Sequence, residues 1–359
     1  MTETPELSFY KKTCAKSERT AAILVINGKK LHVNVALLCY HSDYFNKLFF
    51  SFYLKRGKEY EVYGVDFEDF ATVLSLVLNV PIKINEFRVE SLLKIADRFQ
   101  LPAAKYHLEL ILMTTKRDRE SLLKLADEYK LDMVMDRVLS GFKCKSEFTS
   151  ITNEPLEFIE NLSAEGKDKV FKRALEIDEN TNKPTTSTLF IDVYAKAFAK
   201  SDKTDAVLVV DGKKLHVNKA LLSYHSDYFN TLFNSKSEEK SMKEYPIEDV
   251  KFKNFATLLS LVQIQPIALT KNNAENILEL SDRFQLRVVR RHIELFLLSS
   301  GMHNLEQIRI AEKYEMNDLL EFGIQNLTKA NFNDLPEKPV YKGFSSETRS
   351  KLFYRYLRI

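Results

Sequence analysis

A long segment of this chain is present twice. Residues 22–49 recur as residues 206–233, and 22 of the 28 aligned positions are identical. The match continues further along the chain, where Ala96–Leu101 returns as Ser281–Leu286. Because this duplication is much longer than a repeat unit of about 20–50 residues, it predicts two copies of a whole domain. A chain of 359 residues is long enough for two domains that each bury a core.

The overall composition predicts an ordered, mainly helical protein. Apolar residues make up 45% of the chain, charged residues 29%, and only nine residues are glycine. The net charge of +3 is small for this length, and it gives no indication of a nucleic-acid partner. The phenylalanines and tyrosines follow helical core spacing, so we expect them in the core rather than on a base-stacking surface.

Targeting and cysteine patterns indicate a reducing compartment. The chain starts without the apolar stretch of a signal peptide, and no segment has about 18 uninterrupted apolar residues. The three cysteines, Cys14, Cys39 and Cys144, form no CxxC pattern, so neither a disulfide framework nor a zinc site is expected. We therefore expect a cytoplasmic and/or nuclear protein without a membrane partner.

Each copy begins with a sequence typical of a β-hairpin. Apolar residues precede Asn27-Gly28 in the first copy and Asp211-Gly212 in the second. These dipeptides favour a type I′ turn, because both central residues of that turn need a positive φ angle. A third strand is predicted at Glu59–Val62 and at the matching residues 244–247.

The rest of each copy has the periodicity of amphipathic helices. Ser42 and Ser226 precede a Tyr-Phe…Leu-Phe pattern and are expected to cap a helix, whereas Pro102 fits the first turn of another. A small, mainly antiparallel sheet against a helical cluster, followed by further helices, predicts an α+β fold for each half. The residues with i, i+3, i+4, i+7 spacing are Leu92, Ile95, Ala96 and Phe99, and in the second copy Ile277, Leu280, Ser281 and Phe284.

A polar segment between the copies, residues 178–188, marks the boundary between them. The predicted units are a first, diverged domain at 15–115, a helical extension at 116–177, a linker and lead-in at 178–198, a second domain at 199–300 and a C-terminal helical extension at 301–359.

The repeated histidines and aspartates do not form a catalytic pattern. Six of the seven histidines match across the copies, as His32/His216, His41/His225 and His107/His292, yet none forms an HExxH motif. We expect hydrogen-bonded structural histidines, helix-start carboxylates at Asp43 and Asp227, and solvent-facing carboxylates at Asp97 and Asp282. A hydrolase built on these residues is retained only as a contrast, because no nucleophile or phosphate loop accompanies them. We therefore predict no enzyme activity, no cofactor and no metal.

The duplicated segment resembles the start of a BTB/POZ domain. The second copy has the family's D-V-x-L strand, glycine hairpin and S-x-Y-F-x-x-L-F helix within Thr204–Phe233, and its later helices resemble those that close the domain. The similarity is greatest to BTB domains of the MATH–BTB class, and it covers about residues 20–145 and 205–330. The first copy departs from the pattern, with Ala21 and Val35 where the second has Asp205 and Lys219.

The resemblance implies protein partners. BTB domains pair with each other, and many members bind a cullin-3 ubiquitin-ligase scaffold through an apolar-x-Glu motif after the S-x-Y-F helix. The second copy keeps the acid of that motif without its apolar residue, whereas the first copy does the reverse. The residues that the resemblance offers as cullin contacts are Ser237, Glu238, Glu239, Met242 and Glu244, with Tyr53 and Leu54 as weaker candidates.

Two functions follow from the resemblance and stay open at this point. One is a substrate adaptor of a cullin-3-type ubiquitin ligase, in which the diverged first copy recruits the target. The other is an oligomerisation scaffold without ubiquitin-ligase coupling. BTB–BTB pairing within one chain and pairing between chains are both compatible with the sequence, as in a two-fold dimer.

Overall fold

The computed structural model describes residues 20–50, 59–78, 81–144, 147–148, 155–178, 193–234, 244–333 and 335–359. Both copies form the same unit, a three-stranded sheet packed against helices and followed by further helices. The predicted α+β fold is therefore confirmed. The predicted domain boundaries remain predictions, although a short helix, Val193–Ala197, lies within the predicted lead-in to the second domain.

Each sheet places its first strand in the centre. In the first copy β1 (Ala22–Ile26) pairs antiparallel with β2 (Lys29–Val33) and parallel with β3 (Glu59–Glu61). The second copy repeats this arrangement with β4 (Ala206–Val210), β5 (Lys213–Val217) and β6 (Glu244–Pro246). The predicted strands are present, but each sheet is mixed because its third strand is parallel to the first.

The hairpin turns have the backbone that their sequences predict. Asn27 and Gly28 have φ angles of 50° and 75°, and Asp211 and Gly212 have 48° and 71°. Two consecutive positive φ angles are those of a type I′ turn, which suits the twist of the two strands.

Among the described residues, the α-helices of the first copy are numbered α1 to α9. Their bounds are Val35–His41 (α1), Asp43–Phe50 (α2), Phe67–Ser75 (α3), Val89–Arg98 (α4), Pro102–Leu112 (α5), Arg119–Tyr129 (α6), Asp132–Ser140 (α7), Pro155–Glu160 (α8) and Ala164–Asp178 (α9). The lead-in helix is α10 (Val193–Ala197).

The helices of the second copy follow the same order. Their bounds are Lys219–His225 (α11), Asp227–Asn234 (α12), Phe252–Ser260 (α13), Lys271–Arg283 (α14), Val288–Ser299 (α15), Asn304–Lys313 (α16), Asn317–Gln325 (α17), Pro339–Lys342 (α18) and Ser346–Tyr356 (α19).

A serine and three phenylalanine rings lie at the centre of each domain. Ser42 Oγ accepts a hydrogen bond from the Phe45 amide (3.1 Å) and donates one to the Phe99 carbonyl (2.6 Å), so it caps α2 and ties it to the end of α4. The Phe99 ring stacks on Phe45 at 5.8 Å and meets Phe70 edge-on at 4.9 Å. The second copy repeats the serine bonds and the ring packing with Ser226, Phe229, Phe255 and Phe284.

A buried glutamate joins each domain to its helical extension. Glu109 on α5 accepts hydrogen bonds from the backbone amides of Met133 (2.7 Å) and Val134 (3.2 Å) at the start of α7. Its counterpart Glu294 on α15 accepts one from Leu319 (3.3 Å) at the start of α17. The first amides of a helix have no partner within it, so each carboxyl group satisfies donors that would otherwise be buried and unpaired.

We predict that Glu109→Leu destabilises the protein by about 2 kcal/mol, because it leaves two amides without an acceptor. Glu109→Gln should be close to wild type, since its amide oxygen can accept the same bonds. Burial also raises the pKa of Glu109 to about 7, so a neutral group suits this position. Urea unfolding of the three proteins measures the difference, and a leucine variant as stable as the glutamine variant would contradict this role.

Candidate protein-interaction surfaces

The two domains pack against each other through equivalent helices. Helix α1 of the first domain contacts α11 of the second, and α5 contacts α15. Leu295 on α15 is only 2% exposed and belongs to the apolar core of the first domain. The resulting contact, called here the seam, is formed by α1 and α5 of the first domain and α11 and α15 of the second. Equivalent helices therefore lie on its two sides. This is the arrangement of an isologous dimer made within one chain.

Four of the matched histidines lie in the seam. The rings of His107 and His292 meet edge-on at 4.9 Å, and His41, His225 and His292 line one small pocket between the domains. All four side chains are buried. The expectation of hydrogen-bonded structural histidines holds for His292, whose Nδ1 lies 3.3 Å from the Val288 carbonyl oxygen. It is wrong for His41, because neither of its ring nitrogens has a hydrogen-bond partner among the residues that the structure describes.

Ion pairs span the rim of the seam. Lys203, just before β4, lies 3.3 Å from the Asp43 carboxylate and donates to the Tyr40 carbonyl at 3.3 Å. On the other side Lys83 contacts Asp318 at 3.0 Å. These pairs are partly exposed, and such pairs contribute little energy, so they orient the domains while apolar burial supplies most of the stability.

The remaining polar candidates have structural positions. Asp43 and Asp227 lie in the first turns of α2 and α12, as predicted, and Asp97 is an exposed partner of Lys105 at 2.7 Å.

Within the described ranges, no group of three or more His, Cys, Asp or Glu side chains is placed to hold a metal ion. In the same ranges, no helix has the length and apolar character needed to cross a membrane.

Most of the predicted cullin contacts cannot be placed. Ser237, Glu238, Glu239, Met242, Tyr53 and Leu54 all lie outside the described residues. Glu244 is described, and it lies in β6, where its carboxylate pairs with Lys214 across the sheet. The first copy has the same ion pair between Glu59 and Lys30 at 2.5 Å. Since both copies have this pair, Glu244 has a role within the sheet.

The two domains differ in the side chains that they expose. Phe50, Tyr63 and Phe87 of the first domain are 67%, 73% and 81% exposed. The expectation that aromatic residues lie in the core is wrong for these three. Their aligned counterparts in the second domain are the exposed residues Asn234, Glu248 and Asn272. Position-by-position comparison of the copies could have identified this difference, because each aromatic residue aligns with a polar one.

The departures at the start of the first domain also have structural consequences. In the second domain Asp205 accepts a hydrogen bond from the Lys219 amide at 2.7 Å, and Lys219 Nζ lies 3.0 Å from the Tyr245 hydroxyl oxygen. Ala21 and Val35 of the first domain have no side-chain groups for either contact. The two copies therefore share a core and differ in surface chemistry.

The seam predicts the size and shape of the molecule. We expect light scattering to give the mass of one chain, 41.7 kDa, because the pairing surface of each copy is covered by the other.

Leu295→Arg should expand the particle in small-angle scattering, since it buries a charge in the seam. Leu357→Arg is the matched control, because Leu357 is 63% exposed. A two-chain mass for the wild-type protein, or an unchanged radius in Leu295→Arg, would contradict internal pairing.

Comparison with known proteins gives the family. The BTB/POZ domain model matches residues 10–116 and 194–301, which together are more than half of the chain. The chain is 31% identical over 160 residues to BTB and MATH domain-containing protein 36 of Caenorhabditis elegans, covering 44% of this chain and 50% of that protein. It is 22% identical over 308 residues to BTB and MATH domain-containing protein 45 of the same organism, covering 85% of this chain and 58% of that protein.

A more distant relative is Kelch-like protein 6 of Homo sapiens, with 27% identity over 143 residues, 37% of this chain and 23% of that protein. The chain spans about half the length of the first curated relatives that it matches. Its two matched segments coincide with the two sheets and the helices that form the seam. The chain belongs to the BTB/POZ domain family and contains two copies of that domain.

Proposed function

We propose that this chain is a non-catalytic substrate adaptor of a cullin-3-type ubiquitin ligase. Its second domain contacts the scaffold, and its first domain recruits the target. The observation that carries the proposal is the pairing of two BTB domains whose outward surfaces differ in chemistry. Two identical domains would offer the same binding surface twice, whereas the two domains of this chain offer two different binding surfaces. The adaptor acts in the cytoplasm and/or the nucleus, where a cullin scaffold is available.

The scaffold contact is assigned to the segment after α12. That segment contains Glu238 and Glu239, while the aligned segment of the first domain has Leu54 and Lys55. An acidic residue at the end of this segment is what the family resemblance requires. Glu244 is a weaker choice, because Lys214 already neutralises its carboxylate.

We expect Glu239→Lys to weaken binding to the N-terminal region of a cullin-3-type scaffold by about tenfold or more, since an interfacial charge is reversed. Lys55→Glu is the matched charge reversal in the first domain and should leave binding unchanged. Calorimetry with the full chain measures both. The assignment is overturned if the wild-type chain does not bind, or if Lys55→Glu has the larger effect.

The second candidate is a scaffold without ubiquitin-ligase coupling. It is favoured by Ser237, which stands where the cullin motif has an apolar residue. Under this alternative the chain holds two protein partners together and does not bind the cullin. The binding experiment above separates the two functions.

We predict that the exposed aromatic residues of the first domain carry target recruitment. Replacing Phe50, Tyr63 and Phe87 by their counterparts, as Phe50→Asn, Tyr63→Glu and Phe87→Asn, should abolish target capture while the fold is retained, because all three side chains are exposed. Quantitative affinity purification compares this triple variant with wild type. Asn272→Gln in the second domain is the control, and target capture that survives the triple change would contradict recruitment by these side chains.

A further inference from the structure

The seam contains imidazole groups from both domains, and the carboxylates near them are already paired with cations. His41 and His107 come from the first domain, on α1 and α5, and His225 and His292 come from α11 and α15 of the second. We infer that this four-histidine seam makes the pairing of the two domains sensitive to acid, so that protonation of these imidazoles separates the domains while each stays folded. The inference rests on the seam alone and is independent of any cullin contact.

The groups that face the histidines are cationic or neutral. The positive charge of Lys203 opposes protonation of His41, and that of Arg291 opposes protonation of His107 and His292. Neighbouring histidines also oppose protonation of His107 and His225. The nearby carboxylates are already paired with these cations. Asp43 contacts Lys203 at 3.3 Å, and Glu294 and Asp318 contact Arg291 at 2.6 Å and 2.9 Å.

The other titratable neighbours are phenols, a thiol and the carboxyl group of Glu109 on α5. Burial and, after it, the Glu109 carboxyl group raise the pKa of Tyr106. Tyr40, Tyr106 and Tyr224 pack against the rings of His41, His292 and His225 respectively. Cys39 lies on α1 beside Tyr40, and burial raises the pKa of its thiol to about 11. Burial likewise raises the pKa of Tyr40 to about 12. The residues that the segments after α3 and α13 bring to the seam pocket are Leu76, Val77, Leu261, Val262, Gln263 and Pro266, none of which titrates.

Burial makes the charged form of each imidazole unfavourable in the paired state. It lowers the pKa of His41 and of His225 to about 3 and that of His292 to about 4, and it also lowers the pKa of His107. Such a histidine has a lower pKa in the paired domains than in the separated domains. Its full stabilisation of the pairing is therefore present above about pH 6.5. This advantage is lost progressively as the pH falls from there towards the lowered pKa.

The expected effect of protonating His41 is large. If opening returns His41 to an ordinary pKa, the open state gains about 30-fold relative to the paired state between about pH 8 and about pH 5. The separated domains retain their own cores, since every buried residue of the first cluster except Leu295, and every one of the second, comes from its own half of the chain. Glu109 also takes up a proton in this range, but its raised pKa means that protonation favours the folded domain. Acid therefore opposes the structure between the domains, where the imidazoles are.

The test follows the full chain from about pH 8 to about pH 5 by small-angle scattering and by far-ultraviolet circular dichroism. We expect the radius of gyration to rise while the helical signal is unchanged. His41→Leu and His41→Leu/His107→Leu should move the expansion to lower pH, by about one unit or more in the double variant, because fewer groups titrate. His41→Leu should remain folded, since no group in the described part of the chain forms a hydrogen bond with the ring that it replaces.

His32→Gln is the control, because His32 lies on β2 and does not line the pocket formed by His41, His225 and His292. This control should expand at the wild-type pH. The inference is overturned if the wild-type chain does not expand by about pH 5, or if the helical signal is lost in the same step. It is also overturned if the leucine variants keep the wild-type midpoint, or if the control shifts as far as they do.

Discussion

Burial around two equivalent helices, α5 and α15, is the constraint on which the rest of the molecule depends. Each helix packs one face into the core of its own domain and another against its counterpart across the seam. Each also carries a buried glutamate that holds the start of an extension helix. The domain core, the pairing and the extension therefore all depend on the position of one short helix in each copy.

Local sequence signals predicted the local structure well. The Asn-Gly and Asp-Gly turns, the serine caps and the helical start at Pro102 are all present, since each depends on residues within a few positions of it. The apolar faces of α4 and α14 are buried largely as their periodicity predicted, for the same reason.

Long-range features were harder to predict. The sequence matched His41 with His225 and His107 with His292, but only the packing of α1, α5, α11 and α15 brings them to one place. Glu109 gave no sign of its role, because its partners lie 24 and 25 residues away along the chain. Phe87 was expected in the core, because an aromatic residue in a helical region is usually buried, but its side chain is exposed. Most of the candidate cullin contacts stay predictions.

The covalent connection between the paired domains changes how the pair behaves in a mixture of related proteins. Separate BTB subunits find each other by collision, so dilution weakens their pairing and relatives can compete for a partner. Here the two partners are tethered, and their effective concentration is set by the connecting segment rather than by expression level. The two surfaces are therefore always present in a fixed one-to-one ratio, and each domain has its partner within reach at any dilution. Duplication followed by divergence within one chain gives a heterodimer that does not need a second gene product.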